Sequence, residues 1–364
     1  MPSVKRRLAA TAGYTLVELL ISMGLLTIVM GATMGGLANV MKGNELVMTI
    51  AAMNNSVRAG LDLMVRDLLQ VGSGLPSSHS VSIPNGVGST AVRIPGPPGT
   101  AFTTAAGDLT LPAVMPRSNQ GPVIDGVATD VLTMLMADNA FLDVALTSVN
   151  NSSVVVAAGP DIENGPDRVT AGQLMLISKG SFNTLVQVTQ VNVLTRTLTF
   201  ADDDSLNLNQ SGAANGTLAA LNAHDPINDA TATRISRLRM ITYYLDDTTD
   251  EMHPRLVRRI NNGDWDTFNN DLGTAVAVDA VDLQFAYDIS NGAGNPGNVE
   301  MGAADLVAGG ACGLAACAPT QIRKVNVLLK SRAPNQVSGQ TNMLSNTLES
   351  QVSLRSMAFV DRYR

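Results

Sequence analysis

The pattern of hydrophobic positions changes along the first seventy residues. From Leu19 to Met41 no ionisable residue occurs, and an α-helix of this length crosses the hydrocarbon core of a bilayer at about 1.5 Å per residue. Further on, apolar residues recur at steps of three and four, which predicts one helical stripe: Leu46, Ile50, Met53, Val57, Leu61, Met64 and Leu68. We therefore expect one helix over residues 14–71, apolar all round at its start and amphipathic at its end.

The rest of the chain reads as β-structure. After residue 71, clusters of Gly, Ser and Pro predict loops, and short β-rich runs alternate with turn signals at 131–136, 141–149, 153–157, 174–179, 185–193, 195–200, 241–245, 255–260, 281–287 and 325–330. Two of these runs, from Tyr243 to Ile260, form a predicted hairpin. Short polar turns leave little room for crossover helices, so the sheet should be mostly antiparallel. The expected fold class is α+β, with the long N-terminal helix packed on a β-rich head over residues 72–364.

The residues before the apolar segment indicate its orientation. Lys5, Arg6 and Arg7 precede it without any acid, so this end should stay in the cytoplasm and the head should lie outside. A secretory signal peptide is the alternative, but the apolar run is long for one and no clear cleavage site follows it. The only charge between Tyr14 and Met41 is Glu18. A carboxylate in such a segment is expensive, which indicates a function and a partner.

The residues around Glu18 form a recognisable motif. Gly13-Tyr14-Thr15-Leu16-Val17-Glu18 resembles the processing motif of type IV prepilins, although Phe or Met is commoner than Tyr after the Gly. The resemblance implies that a prepilin peptidase cuts between Gly13 and Tyr14, removes a leader of residues 1–13 and methylates the new amine. Glu18, with Thr15 beside it, would then pair with the Tyr14 amine of a neighbouring subunit in a filament.

Segments of the head resemble the PilW-type minor pilins, which share their plan with the J-type pseudopilins of general secretion. They are 130–133, 172–178, 241–246, 254–260, 278–289 and 321–334, whereas 201–230 and 291–311 resemble nothing in the family. The resemblance implies a structural minor pilin that helps to initiate a type IV pilus, with a position at its tip. Its partners would be other pilin subunits through the N-terminal helix, the prepilin peptidase and, before assembly, the inner membrane. The chain would start as a single-pass inner-membrane protein and end on the pilus at the cell surface.

Two other functions stay open. The chain could be a minor pseudopilin of a type II secretion system, because such a protein would have almost the same sequence features: a processing motif, an apolar helix and a β-rich head. It could also be an adhesin or another ligand-binding head displayed on a pilin anchor. Glycines in the apolar half of the helix fit either close packing between helices or a helix that loosens in the filament; they are Gly24, Gly31, Gly35 and Gly36.

Cys312 and Cys317 are the only cysteines. Outside the cytoplasm they are expected to form a small-loop disulfide, with two free thiols as the alternative in a reducing compartment. A zinc site would need two further ligands, and His79, His224 and His253 show no metal-ligand spacing.

The remaining chemistry-bearing residues favour a structural protein. The net charge of -7 argues against nucleic-acid binding. Two sets of acidic residues, within 202–204 and 246–251, could bind Ca²⁺, but they lack the ligand spacing of an EF-hand. We expect them to be solvated carboxylates of turns. The sequence contains no nucleotide-binding, hydrolase or metalloprotease motif. We therefore expect no enzymatic activity and no cofactor.

Overall fold

The computed structural model describes residues 14–100, 102–105, 107–223, 233–262, 273–290, 298–299, 317–334, 336 and 342–358. It divides into two compact units. One comprises residues 1–52 with 335–344, and the other comprises residues 53–334 with 345–364.

The predicted N-terminal helix is present. Helix α1 spans Leu16–Leu68, and every residue that it buries lies at or beyond Met53. The amphipathic stripe is therefore buried from Met53 to Leu68, whereas Ile50 keeps 41% of its surface exposed. Asp67, a charged residue next to the last position of the stripe, is buried as well.

The structure assigns the first strands to residues 80–128. They are β1 (Ser80–Ser82), β2 (Arg93–Ile94), β3 (Phe102–Thr103), β4 (Thr110–Pro112), β5 (Val114–Arg117), β6 (Val123–Ile124) and β7 (Val127–Ala128). The next strands are β8 (Val131–Ala137), β9 (Val144–Val149), β10 (Ser153–Val156), β11 (Leu174–Lys179), β12 (Phe182–Gln187), β13 (Gln190–Asn192) and β14 (Thr197–Thr199).

A short helix, α2 (Leu218–Ala223), precedes the last group of strands. These are β15 (Thr233–Asp246), β16 (Arg255–Ile260), β17 (Thr274–Val278), β18 (Ala280–Ile289), β19 (Asn298–Val299), β20 (Ile322–Arg332) and β21 (Ser345–Ser353). A 3-10 turn at Pro319–Gln321 leads into β20, and helix α3 (Arg355–Ala358) follows β21.

All of these strands pair in an antiparallel manner, as predicted. The main sheet runs in the order β12-β11-β15-β9-β10-β14-β13, with β8 and β5 on one edge of β15 and β16 and β17 on the other. A smaller sheet has the order β19-β18-β20-β21, and three two-stranded sheets join β1 to β4, β2 to β3 and β6 to β7. The α+β class is therefore observed.

Strand β15 separates two hydrophobic cores, because its side chains alternate between the faces of the sheet. Tyr243 belongs to the first core, which joins the end of α1 to the main and smaller sheets, and Tyr244 belongs to the second core on the opposite face. The first core includes Val57, Leu61, Met64, Leu68, Tyr243, Phe285 and Val327. A third core lies among β9–β14 and α2, and includes Phe141, Val154, Ile177 and Leu221.

Asp130 joins the main sheet to the smaller one. Its backbone N–H donates to the carbonyl of Leu283 at 2.9 Å, and its buried carboxylate accepts the backbone N–H of Phe285 at 2.8 Å. Since the same carboxylate accepts the N–H of Asn119 at 2.7 Å, this one side chain ties three segments of the head together.

Candidate functional site

The first turn of α1 contains the residues expected to act in assembly. The Thr15 backbone N–H donates to Oε2 of Glu18 at 3.0 Å, and the Glu18 backbone N–H donates to Oγ1 of Thr15 at 3.3 Å. The Thr15 hydroxyl also lies 3.1 Å from the same carboxylate oxygen. This reciprocal arrangement is a capping box, and it supplies partners to two N–H groups that a helix start leaves free.

The capping role was missed at the sequence level, although Thr-x-x-Glu before an apolar run is its signature. The carboxylate oxygen Oε1 of Glu18 has no hydrogen-bond partner within the described part of the chain. Gly13, where cleavage is expected, lies outside the described residues. Tyr14, the expected first residue after cleavage, is described and is 87% exposed.

Beyond this cap, α1 presents apolar side chains on all sides. Between residues 14 and 52 the structure buries no side chain, and large ones such as Leu20 and Met34 are 62% and 71% exposed. Among the described residues α1 is the one helix long and apolar enough to span a membrane. An apolar surface of this extent on a single chain marks a segment that lipid or other protein covers.

The other end of α1 is joined to the main sheet by a buried polar cluster. The Asp67 carboxylate accepts the Tyr243 hydroxyl at 2.7 Å, and the Arg258 guanidinium at 2.6 Å from Nε and 3.2 Å from Nη2. Burial and the Asp67 charge raise the pKa of the Tyr243 phenol well above its usual value. Asp67 lies in the last helical turn, where the helix dipole disfavours an acid, so Arg258 is the group that stabilises its charge.

The two sets of carboxylates considered for Ca²⁺ match the expectation of solvated turns in part: Asp202, Asp203, Asp250 and Glu251 are exposed, whereas one residue of each set is not. Asp204 and Asp246 are both buried, at 7% and 4% exposure. The Asp204 carboxylate accepts hydrogen bonds from three backbone N–H groups of the loop that follows it. The Asp246 carboxylate accepts hydrogen bonds from the backbone N–H of Thr248, the hydroxyl of Thr249 and Nε of Arg255. These carboxylates organise their own loops. Among the described residues no group of three or more His, Cys, Asp or Glu side chains could hold a metal ion.

The two described histidines have different surroundings. His253 lies 2.8 Å from the Asp279 carboxylate, a hydrogen bond that raises the pKa of the imidazole. His79 is half-buried, and its burial, together with the charge of Arg323, lowers the pKa of its ring. His224 lies outside the described residues.

Of the two cysteines the structure describes Cys317 alone. It is buried beside the first core and is not a free thiol, whereas Cys312, its expected partner, lies outside the described residues. The disulfide between them stays a prediction.

The structure thus defines a class: a chain with one N-terminal helix that could span a membrane and a large head of antiparallel sheet. No protein-family model, curated protein or solved structure matches the chain.

Proposed function

We propose that the chain is a structural minor pilin of a type IV pilus. In this proposal it is made as an inner-membrane precursor, is cut after Gly13 by a prepilin peptidase, and enters the filament through α1. Its partners are the N-terminal helices of other pilin subunits. The head carries out no catalysis and stays outside the cytoplasm, at or near the tip of the pilus, where it helps assembly to start.

The observation that carries this proposal is the exposed apolar half of α1 with a carboxylate in its first turn. A passive anchor needs the apolar surface, and an uncharged Gln could complete the same cap, so the charge of Glu18 only lowers the affinity of such a helix for lipid. A subunit that exchanges lipid for neighbouring helices can use the carboxylate to neutralise a cationic amine in an apolar surrounding.

The geometry of the cap is compatible with such a pair. Oε2 of Glu18 is used within its own chain by Thr15, whereas Oε1 has no described partner. Cleavage after Gly13 would create an amine on Tyr14, next to Thr15. A carboxylate can accept several hydrogen bonds, so Glu18 can keep its cap and still receive the amine of a neighbouring subunit.

Two substitutions separate the two roles of Glu18. Glu18→Gln keeps the capping hydrogen bond but removes the charge. Thr15→Val removes the capping hydroxyl, at a cost of about 0.5–2 kcal/mol, and leaves the charge. If the amine is paired, Glu18→Gln leaves an unpaired ammonium that costs about 3–5 kcal/mol in the assembled bundle. At about 1.4 kcal/mol per tenfold, its incorporation should fall by hundreds-fold or more.

The measurement is the amount of each variant in sheared filaments, normalised to the amount in the membrane, with the mature N-terminus read by mass spectrometry. We expect both variants to be inserted and cut to Tyr14, and Thr15→Val to assemble much better than Glu18→Gln. Normal assembly of Glu18→Gln would reject the charge pair. A mature terminus other than Tyr14 would reject the pilin assignment itself.

A further inference from the structure

The main sheet has a notch beside its longest strand. Strand β11 pairs with residues 233–238 of β15, and β16 pairs with residues 241–246. Both lie on the same edge, because β8 overlaps each of them along β15 and occupies the other edge. Arg239 and Met240 fall between the two partners. The backbone of Met240 is satisfied there by Asn261, which accepts its N–H at 3.0 Å and donates to its carbonyl at 2.6 Å.

A pocket of about 480 Å³ opens at this notch, which is the size of sites that hold small molecules. Its walls come from the turn after β8, the loop before β11 and the ends of β12 and β16. Amide side chains line much of it: Gln173, Gln187, Asn261 and Asn262. The side-chain NH₂ groups of Asn261 and Asn262 donate no hydrogen bond within the described residues, so donors are available to a ligand.

The charged residues of the lining are three arginines and one acid: Arg168, Arg237, Arg239 and Asp138. Oδ2 of Asp138 accepts Nε of Arg237 at 2.9 Å and Nη2 of Arg239 at 2.6 Å, while Oδ1 accepts the backbone N–H of Ala140 at 3.1 Å. Oδ2 of this one carboxylate therefore serves two guanidinium groups, while Oδ1 serves the backbone. The lining keeps an excess of two positive charges in a chain whose net charge is -7.

The arginines divide into one that positions the wall and two that face a ligand. Arg237 is buried, and its Nη1 and Nη2 each donate at 2.7 Å to backbone carbonyls, those of Arg168 and Pro166. It thus fixes the loop that carries Arg168. The exposed guanidinium of Arg168 has no partner among the described residues, and Nη1 of the half-exposed Arg239 is also unused there.

We propose that this pocket binds a small ligand with a carboxylate or phosphate group on a polar, hydroxyl-bearing body, as in an acidic sugar. Planar guanidinium groups suit both kinds of anion because they donate two parallel hydrogen bonds. The amide groups of the walls can exchange hydrogen bonds with hydroxyl groups of a ligand. An apolar ligand or a bare cation carries no hydroxyl groups and would leave these amides unused. The proposal rests on the head alone and does not depend on filament assembly.

The test uses the full chain in detergent micelles and three matched sugars: galacturonate, galactose 6-phosphate and neutral galactose. Ligand-observed NMR titration should show saturable binding of at least one anionic sugar, at least tenfold tighter than galactose and weaker at high salt. Binding of galacturonate alone, of the phosphate alone, or of both identifies the anionic group that the pocket selects. Failure of both to bind, or binding no tighter than that of galactose, overturns the proposal.

A pair of variants separates the pocket from the general charge of the surface. Arg168→Gln breaks no described contact of its side chain, so it should leave the urea midpoint unchanged and weaken binding about tenfold, the effect of one lost charge-assisted contact. Arg234→Gln removes the same charge from an exposed position on β15 outside the pocket, and it should bind as the unchanged chain does. Equal binding by the two variants would contradict the assignment of the site.

Discussion

The Asp67 cluster should be a strongly coupled unit that holds the end of α1 on the sheet. Asp67→Leu removes the carboxylate and leaves the charge of Arg258, whose side chain is only 17% exposed, without its partner. It also leaves the buried hydroxyl of Tyr243 without an acceptor. Loss of one member of a buried ion pair costs about 3–5 kcal/mol. Because Arg258 is not fully buried, we expect the lower end of this range.

The reciprocal change should be similarly damaging, and the double change should cost clearly less than the two single losses together. Arg258→Met leaves the Asp67 carboxylate buried with Tyr243 as its remaining side-chain donor. In Asp67→Leu/Arg258→Met neither charge remains, and apolar side chains of similar volume are often tolerated in place of a buried pair. The double variant should therefore be more stable than the sum of the two single losses by about 2–3 kcal/mol.

The assay is pulse proteolysis across a urea gradient, with the full chain in detergent. Asp62→Leu is the matched control, because Asp62 is an exposed acid on the same helix, and this change should alter the free energy of unfolding by about 0.5 kcal/mol or less. Two results would refute the reasoning: a loss below about 1 kcal/mol for Asp67→Leu, or strict additivity of the two single losses in the double variant.

Two further predictions concern packing and pH. A Cβ on Gly60 would lie 2.9 Å from a β17 side chain, so Gly60→Leu should destabilise the chain by about 1–3 kcal/mol, whereas the same substitution at exposed Ala59 should be nearly neutral in the urea assay. In an NMR titration His253 should titrate above 6.5 and His79 below it; Asp279→Asn should return only the first towards 6.5. The stability that His253 contributes is present below pH 6.5 and is lost as the pH rises through its folded-state pKa. The stability that His79 contributes is present above pH 6.5 and is lost as the pH falls through the folded-state pKa of His79.

The sequence predicted helix α1 and several strands well, because their hydrophobic patterns are regular. The runs 174–179 and 255–260 coincide with β11 and β16, and the predicted hairpin is formed by β15 and β16. Strand β15 is longer than its predicted run, since Thr233, Arg234 and Ser236 interrupt the apolar pattern at its start. Strand β21 was missed for a related reason: it lies at the edge of the smaller sheet and most of its residues are polar.

Single polar residues were harder to place than elements. Asp67 has the sequence environment of a solvated helix residue, and its burial depends on Arg258, which lies 191 positions away. The notch likewise arises because β11 and β16 pair with separate parts of β15 and leave two residues of β15 between them. These strands lie far apart in the chain. Local patterns contain no information on such pairings, whereas the Thr15–Glu18 capping box is local and its signature was available in the sequence.

The glycines of α1 have different surroundings in the two halves of the helix. Gly60 is required by the fold of the single chain, because a side chain there would collide with Ala277. A Cβ would meet no atom within 4 Å at the glycines of the apolar half, which are Gly24, Gly31, Gly35 and Gly36. Each of these costs up to about 1 kcal/mol of helix stability relative to Ala. The single chain gains nothing in return. Under the function proposed above, close contact with neighbouring helices, or a helix that loosens on assembly, would offset this cost.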